Sequence, residues 1–308
     1  MSIRLGLQIP NFSYGTGVSE LFPTVIAQAQ EADAAGFDSV FVMDHFYQLP
    51  MLGTPDQPML EAYTALGALA AVTKHVQLGT MVTGNSYRNP TLLAKAITTL
   101  DVISQGRALL GIGTGWFELE HDSLGFEFGT FTDRFHKLGE ALQIILPMLA
   151  GERPTFSGQY YRTVEAMAEP RFREHIPLLI GGSGEQKTIP LAAKYFDHLN
   201  LTSGFDELRG KLDVVKRRCE ELDRDPATLK TSVLATVLID DRAGPDAIPA
   251  ERAQRMVVGS AERVAEQLKT KVFDAGVDGV VINMPTTVHG YVPGAITAAA
   301  EALKPLLP

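Results

Sequence analysis

Cysteine is almost absent from this chain: Cys219 is the only one in 308 residues. Disulfide frameworks and cysteine metal sites are thereby excluded, and a reducing compartment is permitted. Cys219 falls in a helical pattern and reads as a small packing residue. Basic charge is also scarce. There are 27 Lys and Arg against 36 Asp and Glu, a formal net charge of -9. No basic stripe stands out, so nucleic acid is not an expected partner. The densest basic run, 216–218, is followed by Glu220, Glu221 and Asp223, which is the pattern of a wet helix face. No apolar run reaches the ~18 residues of a membrane span, and the first residues lead into a strand without a signal-peptide core. The expectation is a soluble, cytoplasmic protein with no membrane partner. A dinucleotide fingerprint is missing too. The first strand ends in Gln8-Ile9-Pro10-Asn11, with no glycine-rich turn, so a Rossmann reading is poor.

What is present is a rhythm. The chain is 45% hydrophobic, ample for a large core. Strand patterns are expected at 3–9, 38–43, 76–82, 107–112, 177–180, 197–201, 230–239 and 278–283. Helical stripes follow at 21–35, 61–73, 91–104, 134–149, 185–195, 205–222, 261–275 and 292–303. Gly36 stops the first helix, as a residue tolerant of the left-handed conformation does. Eight strand-helix units point to a (β/α)8 TIM barrel in one domain, 1–308, an α/β fold with loop insertions over its C-terminal face. A doubly wound open sheet is the alternative. The insertions fall near 115–133, 151–176 and 241–258. Loops this long in a compact barrel usually cover or build a site. The second contains a short hairpin turning at Ser157-Gly158.

The strand from 38 is the most informative. Val40, Phe41, Val42 and Met43 follow one another, as in a strand buried on both faces. It runs straight into Asp44 and His45, at the end where parallel-barrel enzymes keep their chemistry. The other strand ends offer Asn11, then Thr80 to Thr83, then Gly113, Thr114, Gly115 and Trp116. After these come Gly181, Gly182, Ser183 and Gly184, then Asn200 and Thr202, then Asn283. Carboxylates do not cluster among them and histidines do not gather, which argues against a metallohydrolase and against paired-carboxylate glycoside chemistry. The glycine turn before a helix can grip a phosphate or can be a tight turn only. His45 suits proton transfer near neutral pH; Asp44 could orient it or cap the next segment. Trp116 offers a flat wall for a planar ligand. His75, His136, His175, His198 and His289 show no ligand spacing. Glu118, Glu120, His121 and Asp122 read as a solvated acidic loop, and no metal site is expected.

These residues, in this order, resemble the bacterial luciferase-like oxidoreductase superfamily and its F420-dependent branch. The resemblance rests on Gly36-Phe37-Asp38-Ser39-Val40 with Asp44-His45-Phe46, on Leu78-Gly79-Thr80 with Tyr87-Arg88-Asn89-Pro90, and on Leu110-Gly111-Ile112-Gly113-Thr114-Gly115-Trp116. Arg134-Phe135 with Glu140-Ala141-Leu142 and Pro177-Leu178-Leu179-Ile180-Gly181-Gly182-Ser183-Gly184 complete it. It implies a flavin-like cofactor, coenzyme F420 or alternatively FMN, laid across the strand ends. It implies a non-proline cis peptide between Met81 and Val82. Thr80, Met81, Val82, Thr114 and Gly115 would line the cofactor, 181–184 would hold its phosphate, Asp44 would hydrogen-bond it and His45 would be the catalytic acid or base. Asn11, Trp116 and Asn200 would face the substrate.

The implied activity is hydride transfer between F420 and a small organic substrate. The alternatives are an FMN-dependent luciferase-like monooxygenase and, in another class, a barrel that binds F420 or another ligand without catalysis. A homodimer through the helices at 61–73 and 91–104 is implied as well. One departure stands out. The sugar-phosphate dehydrogenase branch has a glutamate after the fourth strand's Thr-Gly, where this chain has Trp116. A flatter or more apolar substrate, reduced rather than oxidised, is the resulting expectation.

Overall fold

The computed structural model describes residues 3–243, 254–284 and 290–307. His289 and most of the third insertion lie outside them. The strands are β1 Leu5–Ile9, β2 Ser39–Val42, β3 Gln77–Thr80, β4 Thr83–Gly84, β5 Ala108–Gly113, β6 Phe156–Ser157, β7 Arg162–Thr163, β8 Leu178–Gly181, β9 His198–Leu201, β10 Lys230–Ile239, β11 Met256–Gly259 and β12 Gly279–Asn283. The helices are α1 Val18–Ala35, α2 Ala62–Val72, α3 Pro90–Ile103, α4 Glu118–Leu124, α5 Phe131–Leu149, α6 Thr188–Tyr195, α7 Leu208–Glu220, α8 Ala261–Lys271 and α9 Ala295–Leu303.

Eight parallel strands close a ring in the order β1-β2-β3-β5-β8-β9-β10-β12 and back to β1. This is a TIM barrel, and the eight expected units are its eight staves. Outward residues such as Leu7, Val40, Leu110 and Ile180 pack under the helices, while Phe41, Leu109, Leu179 and Val281 fill the interior. Gly36 ends α1 at φ 76°. β6 and β7 form the antiparallel hairpin expected in the second insertion.

Two expectations need correction. The stretch 241–258 is not loop throughout: β11 extends the sheet beside the far half of β10, Thr236 facing Met256. Because β10 has ten residues, its first half pairs with β9 and its second half projects past β9, leaving an edge that β11 covers. The stretch 115–133 is also partly helical. α4 lies within it, and Glu120 and His121, read from sequence as solvated, are both fully buried.

The interior is polar in places. His198 is 2% exposed and its Nε2 meets Ser232 Oγ at 2.8 Å. Burial pulls its pKa down to about 3, against the attraction of Asp278. Between that value and the ordinary ~6.5 of an unfolded chain, only the unfolded state binds the proton, so acidification destabilises the fold. The contribution is up to about 1.4 kcal/mol per pH unit over that window. Thermal melts between pH 7.5 and 4.5 should show a shallower fall in Tm for His198→Asn than for wild type, and equal slopes would contradict the assignment.

Candidate active site

Because all eight staves are parallel, His45 and the 181–184 turn share one rim. What lies between them is a bulge. From Gly79 facing Leu109 to Thr83 facing Ile112, the chain advances four residues against three on β5. One residue is therefore extra, and Met81-Val82 is the cis peptide the resemblance implies. Met81 N–H donates to Val42 O, on the stave that carries His45, at 3.0 Å. Val82 leans the other way: a Cβ at Gly181 would come 3.3 Å from its Cγ1, and one at Gly113 3.0 Å from its Cγ2. The glycines at the tops of β5 and β8 thus make room for the bulge, which bridges from the histidine stave to the glycine turn.

Two hydrogen-bond chains hold it. Thr80 Oγ1 donates to Gly111 O at 3.1 Å, so Thr83 must donate to Thr80 at 2.7 Å and Tyr63 to Thr83 at 2.5 Å. Burial and the Asp44 charge push the Tyr63 phenol up, keeping it the donor at the head of the chain. From inside the barrel, Asn283 donates to Gln8 at 3.1 Å and Gln8 to Met81 O at 3.3 Å. A side chain at Gly111 would collide with the Thr80 carbonyl. Gly111→Ala is expected to cost at least about 3 kcal/mol, the upper end of overpacking, because rigid backbone cannot yield. Chemical denaturation would show it as a lower midpoint, and an unchanged midpoint would refute the close approach.

His45 is held from α4. Glu120 Oε2 faces Nδ1 at 2.9 Å, and its Oε1 accepts from the backbone N–H of Phe46 and, at 3.0 Å, of Tyr47. The ring stands edge-on to Trp116 and Phe117, centroids 5.7 and 6.0 Å away. Phe117 packs with Met43 and Leu49, whereas Trp116 is 53% exposed and available as a wall. Next door, His121 Nδ1 donates to Phe117 O at 2.8 Å and its Nε2 accepts from Ser86 Oγ at 2.7 Å, tying α4 to the rim.

Asp44 is 1% exposed, and both of its oxygens are taken by Arg88, Oδ2 at 2.9 Å from Nε. Arg88 also reaches Glu61 at 2.7 Å and lies over the Tyr63 ring. Burial raises the Asp44 carboxyl despite Arg88. The expectation that Asp44 hydrogen-bonds a cofactor directly is therefore revised: its side chain is committed to Arg88, and Tyr87 OH holds its carbonyl.

At the other end, Gly182 sits at φ 139°, where a Cβ would come 2.9 Å from Thr188 at the start of α6. Its N–H donates to Asn200 O at 2.9 Å. Ser183 Oγ accepts from Thr202 and Ser203 N–H at 2.8 and 3.0 Å. Asn200 itself is buried against Ser232 inside the barrel, a less open place than a substrate residue requires. Thr114 and Gly115 stand on the rim, Gly115 at φ 77° over Ser86. Asn11 lies near the top of β1, nearly buried. Sequence reasoning missed Glu120, Arg88 and Tyr63. Among the described residues no group of His, Cys, Asp and Glu could hold a metal ion, and no helix is long and apolar enough to cross a membrane.

The chain has relatives among known proteins. The sequence model of the luciferase-like monooxygenase family matches residues 3–245. An F420-dependent glucose-6-phosphate dehydrogenase of Nakamurella multipartita is 35% identical over 224 residues, 69% of this chain and 65% of that protein. One of Nocardia farcinica is 31% identical over 82% of this chain and 85% of its own length. The first curated relatives are matched over only about half to two thirds of their length, 65% and 51% for two of them. Among solved structures, an F420-dependent secondary alcohol dehydrogenase with an F420-acetone adduct superposes with a TM-score of 0.84 at 19% identity, over 100% of both chains.

Proposed function

The chain belongs to the luciferase-like monooxygenase family, and from that premise we propose that it is an oxidoreductase using coenzyme F420 on a small organic substrate, working as a reductase. The observation that carries this is the Met81-Val82 bulge, which touches the stave of His45 on one side and Gly181 on the other. His45 would stand toward one side of a cofactor held on the bulge and the 181–184 turn toward the other. The cradle fits such a cofactor because the glycines at 181, 182 and 184 let the backbone pass close under the bulge and the start of α6, and because the start of α6 offers backbone N–H groups and a positive dipole end. When bound, F420 supplies or takes the hydride.

The chain's own residues do the rest. The 181–184 turn, with Ser183 fixed by the loop after β9, holds the phosphate. Thr80, Met81 and Val82 would support the cofactor, and Thr114 and Gly115 would border it. His45 moves a proton at Nε2, the nitrogen not facing Glu120. Asp44 works at one remove, through Arg88, by fixing the turn that carries His45. Trp116 and Phe117 exclude water from one side, with Asn11 and Asn200 toward the barrel centre. The relatives named above are glucose-6-phosphate dehydrogenases, but an apolar plane at 116 suits a flatter carbonyl or alkene substrate. Purified protein with reduced F420 should consume an apolar ketone or enone from a substrate panel. Oxidation of glucose 6-phosphate at an ordinary enzyme rate would overturn this substrate class.

The protein would act in the cytoplasm, without nucleic acid or membrane as partner. A homodimer through α2 and α3 fits Leu92 and Ile103, which α3 leaves exposed on one face.

A further inference from the structure

We propose that Glu120 is the positioning residue that fixes which nitrogen of His45 carries the proton. The proposal rests on the functional reading above, in which His45 is the proton carrier. Glu120 lies on α4, wholly buried, 75 residues along the chain from His45. It makes three contacts with one short turn. Oε1 accepts from the Phe46 and Tyr47 amides, and Oε2 faces His45 Nδ1 at 2.9 Å. The amides can only donate, so they fix the carboxylate's orientation. A carboxylate can only accept, so Nδ1 must be the donor. The proton of the neutral imidazole therefore sits on Nδ1, and Nε2 carries a lone pair. Among the described residues no hydrogen bond engages Nε2. Nε2 is thus kept able to take a proton and, once charged, to return it. The aromatic edges of Trp116 and Phe117 hold the ring in place without competing for either nitrogen.

This arrangement makes a sharp prediction for Glu120→Gln. The glutamine has the same shape. Its carbonyl must stay on the two backbone amides, because an NH2 group there would face two donors. The NH2 group is then turned to Nδ1, which must become an acceptor. The proton moves to Nε2, and the NH2 group facing Nδ1 opposes a second proton there, so the ring can no longer become the imidazolium that donates from Nε2, while the turn keeps its form. A role limited to stabilising the turn predicts no such inversion. An asparagine-for-aspartate exchange behind a catalytic histidine elsewhere costs about 10⁴-fold in turnover by the same tautomer error.

The test uses the full chain with 15N-labelled histidine, and His45→Gln identifies the His45 signals. Long-range 15N–1H spectra of the neutral side chain should show the proton on Nδ1 in wild type and on Nε2 in Glu120→Gln. In the same variant kcat should fall by about 10²- to 10⁴-fold with little change in KM, and F420 affinity should stay within about threefold. Proton on Nε2 in wild type would overturn the proposal without need of any variant. So would a Glu120→Gln protein that keeps the Nδ1 tautomer. An inverted tautomer with full turnover would overturn the catalytic half. The spectra need no cofactor, so a failure to bind F420 would count against the functional reading alone.

Discussion

His45→Ala is expected to lower turnover by roughly 10²-fold or more while leaving F420 affinity nearly intact, the scale of lost acid-base catalysis. The expectation follows from where the ring stands. His45 is at the top of β2, next to the bulge but outside the glycine turn that would carry the phosphate. Removing an imidazole there takes away a proton carrier without touching the cradle. Hydride transfer to a carbonyl leaves an oxygen that must gain a proton, so the missing group appears in kcat. The two quantities separate the readings. Lost turnover with retained binding identifies an enzyme whose histidine is chemical. Unchanged turnover would remove His45 from the mechanism, and no turnover in wild type on any substrate would favour a binding barrel.

Arg88→Met is expected to destabilise the fold by about 3–5 kcal/mol, the cost of leaving a buried charge without its partner. Asp44 is 1% exposed and its two oxygens face Arg88. Glu61 loses the same guanidinium, although it keeps the amides of Tyr63 and Thr64 as the cap of α2. The sign of the pH dependence follows. Burial already raises the Asp44 carboxyl. Without Arg88 the folded-state pKa stands further above the unfolded one, so the variant is relatively more stable in acid and loses stability as pH rises through that raised value. Denaturant titrations at two pH values would record both effects. Asp44→Asn added to Arg88→Met should recover part of the loss, because the charge that made the vacancy costly is gone. Strict additivity of the two substitutions would show that the pair is not coupled.

The eight staves were legible because a strand buried on both faces writes itself as an unbroken apolar run, as Val40 to Met43 does. The rim followed, since parallel strands carry their ends to one side. The bulge was placed by resemblance at Met81-Val82, where it lies. What sequence did not disclose were the partners. Glu120 looked solvated because α4 is only seven residues long and is rich in ionisable groups: Glu118, Glu120, His121 and Asp122. Its burial is caused by the turn at 45–47, and no local period encodes a contact made across the fold. Asp44 looked available for the same reason, because Arg88 lies 44 residues further on. Tyr63 lay in the helical stretch 61–73 with nothing in the sequence to single it out, yet its hydroxyl heads the chain that braces the bulge. β11 escaped notice because four residues at the end of a long connection, Met256 to Gly259, resemble any short apolar stretch until β10 offers them an edge.

The most direct measurement is a titration of the apoprotein with F420 and, separately, with FMN, followed by fluorescence or calorimetry. Micromolar or tighter binding of F420, weakened by a substitution at Gly182 and indifferent to His45→Ala, is the expected result. Micromolar binding of FMN with none of F420 would contradict the deazaflavin reading outright.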